Sequence, residues 1–291
     1  MTSKWKKVLY EKQDVPDNYV DESFLSDLRK NVNLYKYTWG EAFTGVCAVT
    51  HEVSSTVLFV VAFIFLKDES CSIAVILVSV AMLIIISFII HQITCELDNR
   101  WKFKNIPFSE YLKSCVIFFT FGYMFSPILK ALTETISTDT IYAMVTLMML
   151  THVLFQDYGA EAAIVSQSLS LNSALFAAVC LSSRLPTVMR TFALVILAVM
   201  VFVVLPLLRH RFQKNISGFL IITGIFIITV LIALFYISTT YAVLFVLLCF
   251  SVNVIFPTLF VHCQKYKENI FGPWDEAVVK QHQSISHEYK S

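Results

Sequence analysis

Eight long apolar stretches divide the chain, near residues 46–66, 73–93, 115–132, 141–155, 162–181, 188–208, 219–237 and 242–261. A hydrocarbon core of about 30 Å is crossed by roughly 20 apolar residues in helical form, so most of these runs are long enough to span. Eight crossings return both termini to one side of the membrane. The Lys and Arg residues divide accordingly: 18 of the 22 fall in the N-tail, the 2–3 and 6–7 loops and the C-tail, leaving Lys67, Lys130, Arg184 and Arg190 opposite. Short membrane-adjacent segments rich in Lys and Arg stay cytosolic, which puts both termini in the cytosol. The run at 141–155 is the weakest, and removing it as a crossing worsens the split to 13 against 9. The expected fold is an all-α polytopic membrane protein with eight transmembrane helices.

The organisation that follows is a cytosolic N-tail over 1–45, a transmembrane domain over 46–261 and a cytosolic C-tail over 262–291. A hydrophobic fraction of 57% with 15% charged residues is far from a soluble domain. Residues 1–44 are polar and hold no cleavable signal, so span one is expected to serve as its own insertion signal. Seven cysteines lie scattered without a CxxC pair and read as small hydrophobes.

The tails are too short for a nucleotide-binding α/β domain, which needs several βαβ units. No GxGxxG or GxxxxGK[ST] occurs, and no DxD pair lies in the short non-cytosolic loops. His51-Glu52 lacks the second histidine of a zinc-binding helix, and no metal or other cofactor is expected. No nucleic-acid partner is expected either. Chemistry on an activated donor would therefore need another chain to bind that donor.

Short amphipathic helices are expected in the N-tail, with the 2–3 loop and the C-tail as further candidates. Trp5, Val8 and Leu9 share one helical face, and Asp21 suits the N-cap of a helix carrying Phe24, Leu25, Leu28 and Val32. Arg100-Trp101-Lys102-Phe103-Lys104 interleaves bases and aromatics, as at an anionic membrane surface. Gly272-Pro273-Trp274-Asp275-Glu276 reads as the end of one helix and the start of another.

Span five carries a ridge of small residues, Ala162, Ser166, Ser170, Ala174, Ala178 and Ser182, at a spacing of four. Lipid contact requires no such ridge, whereas close helix–helix approach does. The hinge between spans four and five, His152 to Glu161, is the sharpest candidate for chemistry. His152 and Gln156 face one way, Asp157 suits the cap of the next helix, and Glu161 suits its first turn. His152, Asp157 and Glu161 are thus candidate substrate-binding residues that suit the hydroxyls of a polyol headgroup. Capping and interhelical hydrogen bonding explain the same residues equally. Pro127, Pro206 and Pro257 sit inside spans three, six and eight, without the matched interruptions of two halves expected of a transporter. Charged residues are read as missing from span centres, which also disfavours an ion pathway.

Six segments, WKKVLYEKQ at 5–13, PDNYVD at 16–21, FSPILKALTE at 125–134, STDTIYAM at 137–144, DYGAEAAIVS at 157–166 and GPWDEA at 272–277, together resemble the C-subunit family of phosphatidylinositol N-acetylglucosaminyltransferase. The resemblance implies a multi-pass, non-catalytic member of an endoplasmic reticulum complex. That complex moves N-acetylglucosamine from its UDP conjugate to phosphatidylinositol on the cytosolic face, the first step of GPI-anchor biosynthesis. It further implies a catalytic A subunit, companion H, P, Q and Y subunits, and the small regulatory subunit of dolichol-phosphate-mannose synthase. No catalytic residue carries over from the family. The alternatives are a stand-alone membrane enzyme acting on phosphatidylinositol through the 152–161 hinge and, more remotely, a transporter.

Overall fold

The computed structural model describes Lys12, Tyr19 and residues 29–31, 35–97, 108–158, 165–212, 216–268 and 270–271. The helices are α1 (Trp39–Lys67), α2 (Ile73–Leu97), α3 (Phe108–Ala131), α4 (Thr138–Phe155), α5 (Gln167–Ser182), α6, α7 (Ile216–Ile237) and α8. Two of them are composite. In α6, Val188–Val199 and Leu205–Phe212 flank a π-helical turn at Met200–Val204. In α8, Thr239–Phe250 and Phe256–Cys263 flank a second π-helical turn at Ser251–Ile255. Among the described residues seven helices are long and apolar enough to cross a membrane, and α5 is shorter at 16 residues, about 24 Å. The chain is a membrane protein built from these helices.

Sequence accounts for three of the helix starts. Ser137 and Thr187 precede α4 and α6 in extended backbone, and their hydroxyls accept from Thr140 N and Arg190 N, both at 3.3 Å. Each side chain thereby satisfies one of the amides that the first helical turn leaves open. Ser238 does the same for Thr240 N at the start of α8. Both π-helical turns end two residues before a proline, at Pro206 and Pro257. A proline cannot donate to the carbonyl four residues back and its ring collides with that carbonyl. The ladder steps out instead, with Leu205 N donating to Met200 O and Phe256 N to Ser251 O.

Residues Trp39–Leu259 form one compact unit. Helix α1 lies against α4, α6, α7 and the wide turn of α8, and α5 packs on α4 and α6. The largest core cluster draws Phe59 from α1, Ile141 and Val145 from α4, Ala174 and Ala178 from α5 and Phe202 from α6. Helices α2, α3, α7 and α8 turn large apolar side chains outward, among them Ile86, Phe121, Ile225 and Leu247. In a bilayer this is the expected exterior, since lipid is as apolar as leucine.

At the bundle end holding the α1–α2, α3–α4 and α5–α6 loops, four cations are bound by protein groups. Lys67 Nζ donates to Tyr142 Oη at 2.9 Å, Lys130 Nζ to Pro186 O at 2.7 Å and Arg184 to the Thr133 carbonyl. Arg190 Nη1 pairs with Glu69 at 2.5 Å, and this contact holds the Glu69 carboxyl below the usual carboxylate range. The Thr133 hydroxyl donates to Ser183 Oγ at 2.5 Å, closing the same end.

A second unit comprises residues 1–38 and 260–291. Within it, strand β1 (Arg29–Lys30) pairs antiparallel with strand β2 (Ile270–Phe271), Arg29 opposite Phe271. The Gln264 side-chain amide clasps the Tyr37 backbone from both sides, accepting from Tyr37 N at 2.7 Å and donating to Tyr37 O at 2.9 Å.

Three expectations need correction. Arg29 and Lys30 are extended where a helix to Val32 is expected; they pair antiparallel with Ile270–Phe271 instead, and Asn31 follows at φ 57°, a left-handed conformation that asparagine tolerates. The described part of the fifth helix begins at Gln167, with Ser166 in extended backbone at its N-cap, so Asp157 does not cap it. Charge is not absent from the spans, because Glu52 lies well inside α1. The other amphipathic segments of the N-tail, the 98–107 stretch of the 2–3 loop and residues 272–291 lie outside the described residues, as do Glu161 and Ala162.

Candidate functional site

Glu52, one of two acidic residues in α1, is 1% exposed. A lone buried carboxylate would be very costly, so its surroundings must supply both charge and donors. His152, near the end of α4, brings Nε2 to 2.8 Å from Glu52 Oε1. Arg209, near the end of α6 and 4% exposed, donates Nη1 to Glu52 Oε2. Each carboxylate oxygen thus has a partner from a different helix.

The network continues into α5. His152 Nδ1 lies 2.8 Å from Ser170 Oγ and 3.1 Å from the Ser170 carbonyl. Ser170 Oγ in turn lies 2.6 Å from Gln156 Oε1 and 3.0 Å from the His152 carbonyl. With Nε2 on the carboxylate and Nδ1 on serine, both ring nitrogens are engaged, and the ring packs edge-on to Phe202 at 4.9 Å. The small ridge of α5 makes this approach possible: Ser170, Ala174, Ala178 and Ser182 are all buried, and no side chain there is large enough to push α4 away. Ser166 is half-buried at the helix start.

Arg209 also reaches the α4–α5 connection. Its Nη2 donates to the Asp157 carbonyl at 3.1 Å, and the guanidinium lies 5.6 Å from the centre of the Tyr158 ring. Tyr158 donates its hydroxyl to the Val153 carbonyl at 2.7 Å, and burial pushes its phenol well above the ordinary range, so it remains a neutral donor. A second polar contact joins α1 to the wide turn of α8, where Thr50 Oγ1 donates to Asn253 Oδ1 at 2.9 Å.

The sequence singles out His152, Asp157 and Glu161. The structure gathers the first two around Arg209, with Asp157 contributing its backbone carbonyl. Sequence reasoning missed Glu52 as the centre and Arg209 as its partner. The available signal was physical: a carboxylate inside an apolar run demands a cation, and Arg209 stands at the end of another run. Among the described residues no group of three His, Cys, Asp or Glu side chains is arranged to hold a metal ion.

These features define a class: a multi-pass helical membrane protein whose helices are locked near one end of the bundle by a buried, internally compensated charge cluster. A family model described as GPI2, phosphatidylinositol N-acetylglucosaminyltransferase, matches residues 5–275. The C subunit of phosphatidylinositol N-acetylglucosaminyltransferase from Mus musculus is 40% identical over 279 residues, covering 96% of this chain and 94% of the relative. The Homo sapiens C subunit is likewise 40% identical with the same coverage. The GPI2 subunit of Schizosaccharomyces pombe is 33% identical over 287 residues, 95% of this chain and 87% of the relative. The chain belongs to this family. No solved structure matches it significantly.

Proposed function

We propose that this chain is the eight-span, non-catalytic subunit of the complex that transfers N-acetylglucosamine from UDP-N-acetylglucosamine to phosphatidylinositol, and that a partner chain performs the transfer. The observation that carries this reading is the relation to C-subunit proteins over nearly the whole chain. The buried junction adds to it. Glu52, His152 and Arg209 compensate one another away from water and lipid, which suits holding helices in register better than attacking a substrate. In this reading the catalytic partner is the A subunit. The H, P, Q and Y subunits and the small regulatory subunit of dolichol-phosphate-mannose synthase are the neighbours, and the membrane is that of the endoplasmic reticulum.

Both tails, 1–45 and 262–291, then face the cytosol and flank the transmembrane domain at 46–261. The sidedness of Lys and Arg supports this, and the four exceptions are bound by protein groups. Strand pairing supports it separately. Strand β1 precedes α1 and β2 follows α8, so their pairing favours an even number of crossings. With seven long helices, α5 is the eighth, its short length accommodated by local thinning of the bilayer. We place the phosphatidylinositol headgroup beside Asp157 and Glu161, with His152 bracing the connection from behind.

Purified complex depleted of this chain is expected to lose transfer of labelled sugar to phosphatidylinositol and to recover it when the chain is restored, while the chain alone is inactive. Transfer by the isolated chain would overturn the reading in favour of a stand-alone enzyme.

A further inference from the structure

Arg209 is better connected than an ion pair requires. One arm, Nη1, neutralises Glu52; the other, Nη2, donates to the Asp157 carbonyl at 3.1 Å, beyond the last residue of α4. Its guanidinium carbon lies 5.6 Å from the centre of the Tyr158 ring, and Tyr158 is itself tied back to Val153 at 2.7 Å. A lysine at this position would satisfy the carboxylate as a point charge but has no planar fork to hold a carbonyl and a ring at the same time. The guanidinium therefore joins two things: the buried carboxylate of α1 and the path of the chain as it leaves α4.

We propose that Arg209 is the positioning residue of the turn that leaves α4, setting where Asp157 and Tyr158 present themselves to the phosphatidylinositol headgroup, with Glu52, itself held by His152, keeping the guanidinium in place. The inference deepens the reading of the function given above and rests on the headgroup lying beside this connection. Pure helix bracing would be served by any compensated pair. Positioning requires the fork.

Three variants separate these roles in the assembled complex. Arg209→Lys keeps the charge. Glu52→Gln with Arg209→Met removes both charges together, which buried pairs tolerate far better than loss of one. Glu52→Gln alone leaves Arg209 without its counter-charge and is the disruptive control. Each complex is brought to equal subunit content and measured for transfer against phosphatidylinositol concentration at saturating sugar donor. Amide hydrogen exchange over residues 155–166 is followed in parallel. Arg209→Lys is expected to assemble normally, to exchange at least tenfold faster at Ser166, whose amide donates to the Phe155 carbonyl beside Asp157, and to lose tenfold or more in kcat/KM for phosphatidylinositol with the donor KM unchanged. The double variant is expected to regain assembly but not the slow exchange or the kinetics. Unchanged exchange in Arg209→Lys overturns the positioning role, as does a double variant that recovers activity along with assembly. Faster exchange with unaltered phosphatidylinositol kinetics would leave Arg209 as the anchor and overturn the placement of the headgroup instead.

Discussion

Glu52 is shut into the bundle with one partner on each oxygen, and its removal affects more than its own contacts. Glu52→Ala leaves the Arg209 charge buried without its counter-charge, and such losses cost about 3–5 kcal/mol. The expected outcome is a sharp fall in the amount of folded protein recovered in mild detergent, measured by fluorescence-detected gel filtration. At Ala174, which is 0% exposed on the ridge of α5, replacement by leucine overpacks the seam and should cost about 1–3 kcal/mol. Leucine at the half-buried Val195 of α6 is the control and should be milder. Equal thermal stability of the two variants would remove the ridge from the list of tight interfaces. His152 could be singled out from the chain alone because its neighbours Gln156, Asp157 and Glu161 are polar together. Glu52 was hidden by company of a different kind: with the adjacent His51 it reads only as a zinc-binding pair that wants a second histidine, and the serines and threonines that follow do not advertise a distant arginine. A partner 157 residues away leaves no local trace.

Helices were legible here because hydrocarbon thickness sets their length, and runs of the right length are visible without any knowledge of packing. Phase is different. Helices such as α2 and α7 are apolar nearly all round, so the chain does not announce which face turns inward. Pro206 and Pro257 read as kinks, yet the wide turns that precede them depend on how the neighbouring helices accept the displaced backbone. The wide turn of α6 acts as one extra residue in the ladder, and removing one residue turns everything beyond it by about 100°. Deleting Val203 together with Pro206→Ala should close the wide turn into ordinary helix while keeping Arg209 aimed at Glu52. Deleting Val195 instead should swing one half of α6 out of phase with the other. The first variant is expected to retain most of its thermal stability and the second to lose assembly; the reverse order would show that the turn does not set the phase of Arg209.

Taken as a whole, the protein should behave as a bundle with both tails on one side. Glycosylation acceptors placed after Ser3 or before Ser291 should remain unmodified, and one placed within 134–137 should be modified when it clears the membrane surface. A glycosylated C-tail would rule out eight crossings. Tyr37→Cys with Gln264→Cys places two thiols at the amide clasp, and an intramolecular disulfide is expected under mild oxidation of native membranes. Failure of that cross-link in an otherwise assembled protein would argue against the clasp. The even count was suggested by charge sidedness alone. The clasp could not be foreseen, since neither Gln264 nor Tyr37 belongs to a recognisable pattern and their bond depends on two segments at opposite ends of the bundle sequence.

Tyr37 leaves the ribosome before any span has been made, whereas Gln264 follows the last of them. Their bond is therefore a late event in the life of the chain. In the proposed topology it closes only when an even number of crossings lies between them, since a single skipped crossing strands the two partners on opposite sides of the hydrocarbon. A joint of this kind reports on completion: a nascent chain, or one that has skipped a single crossing, has Tyr37 and Gln264 apart, and a finished one has them joined. Quality control that recognises unpaired tail segments would have a direct way to tell the two apart.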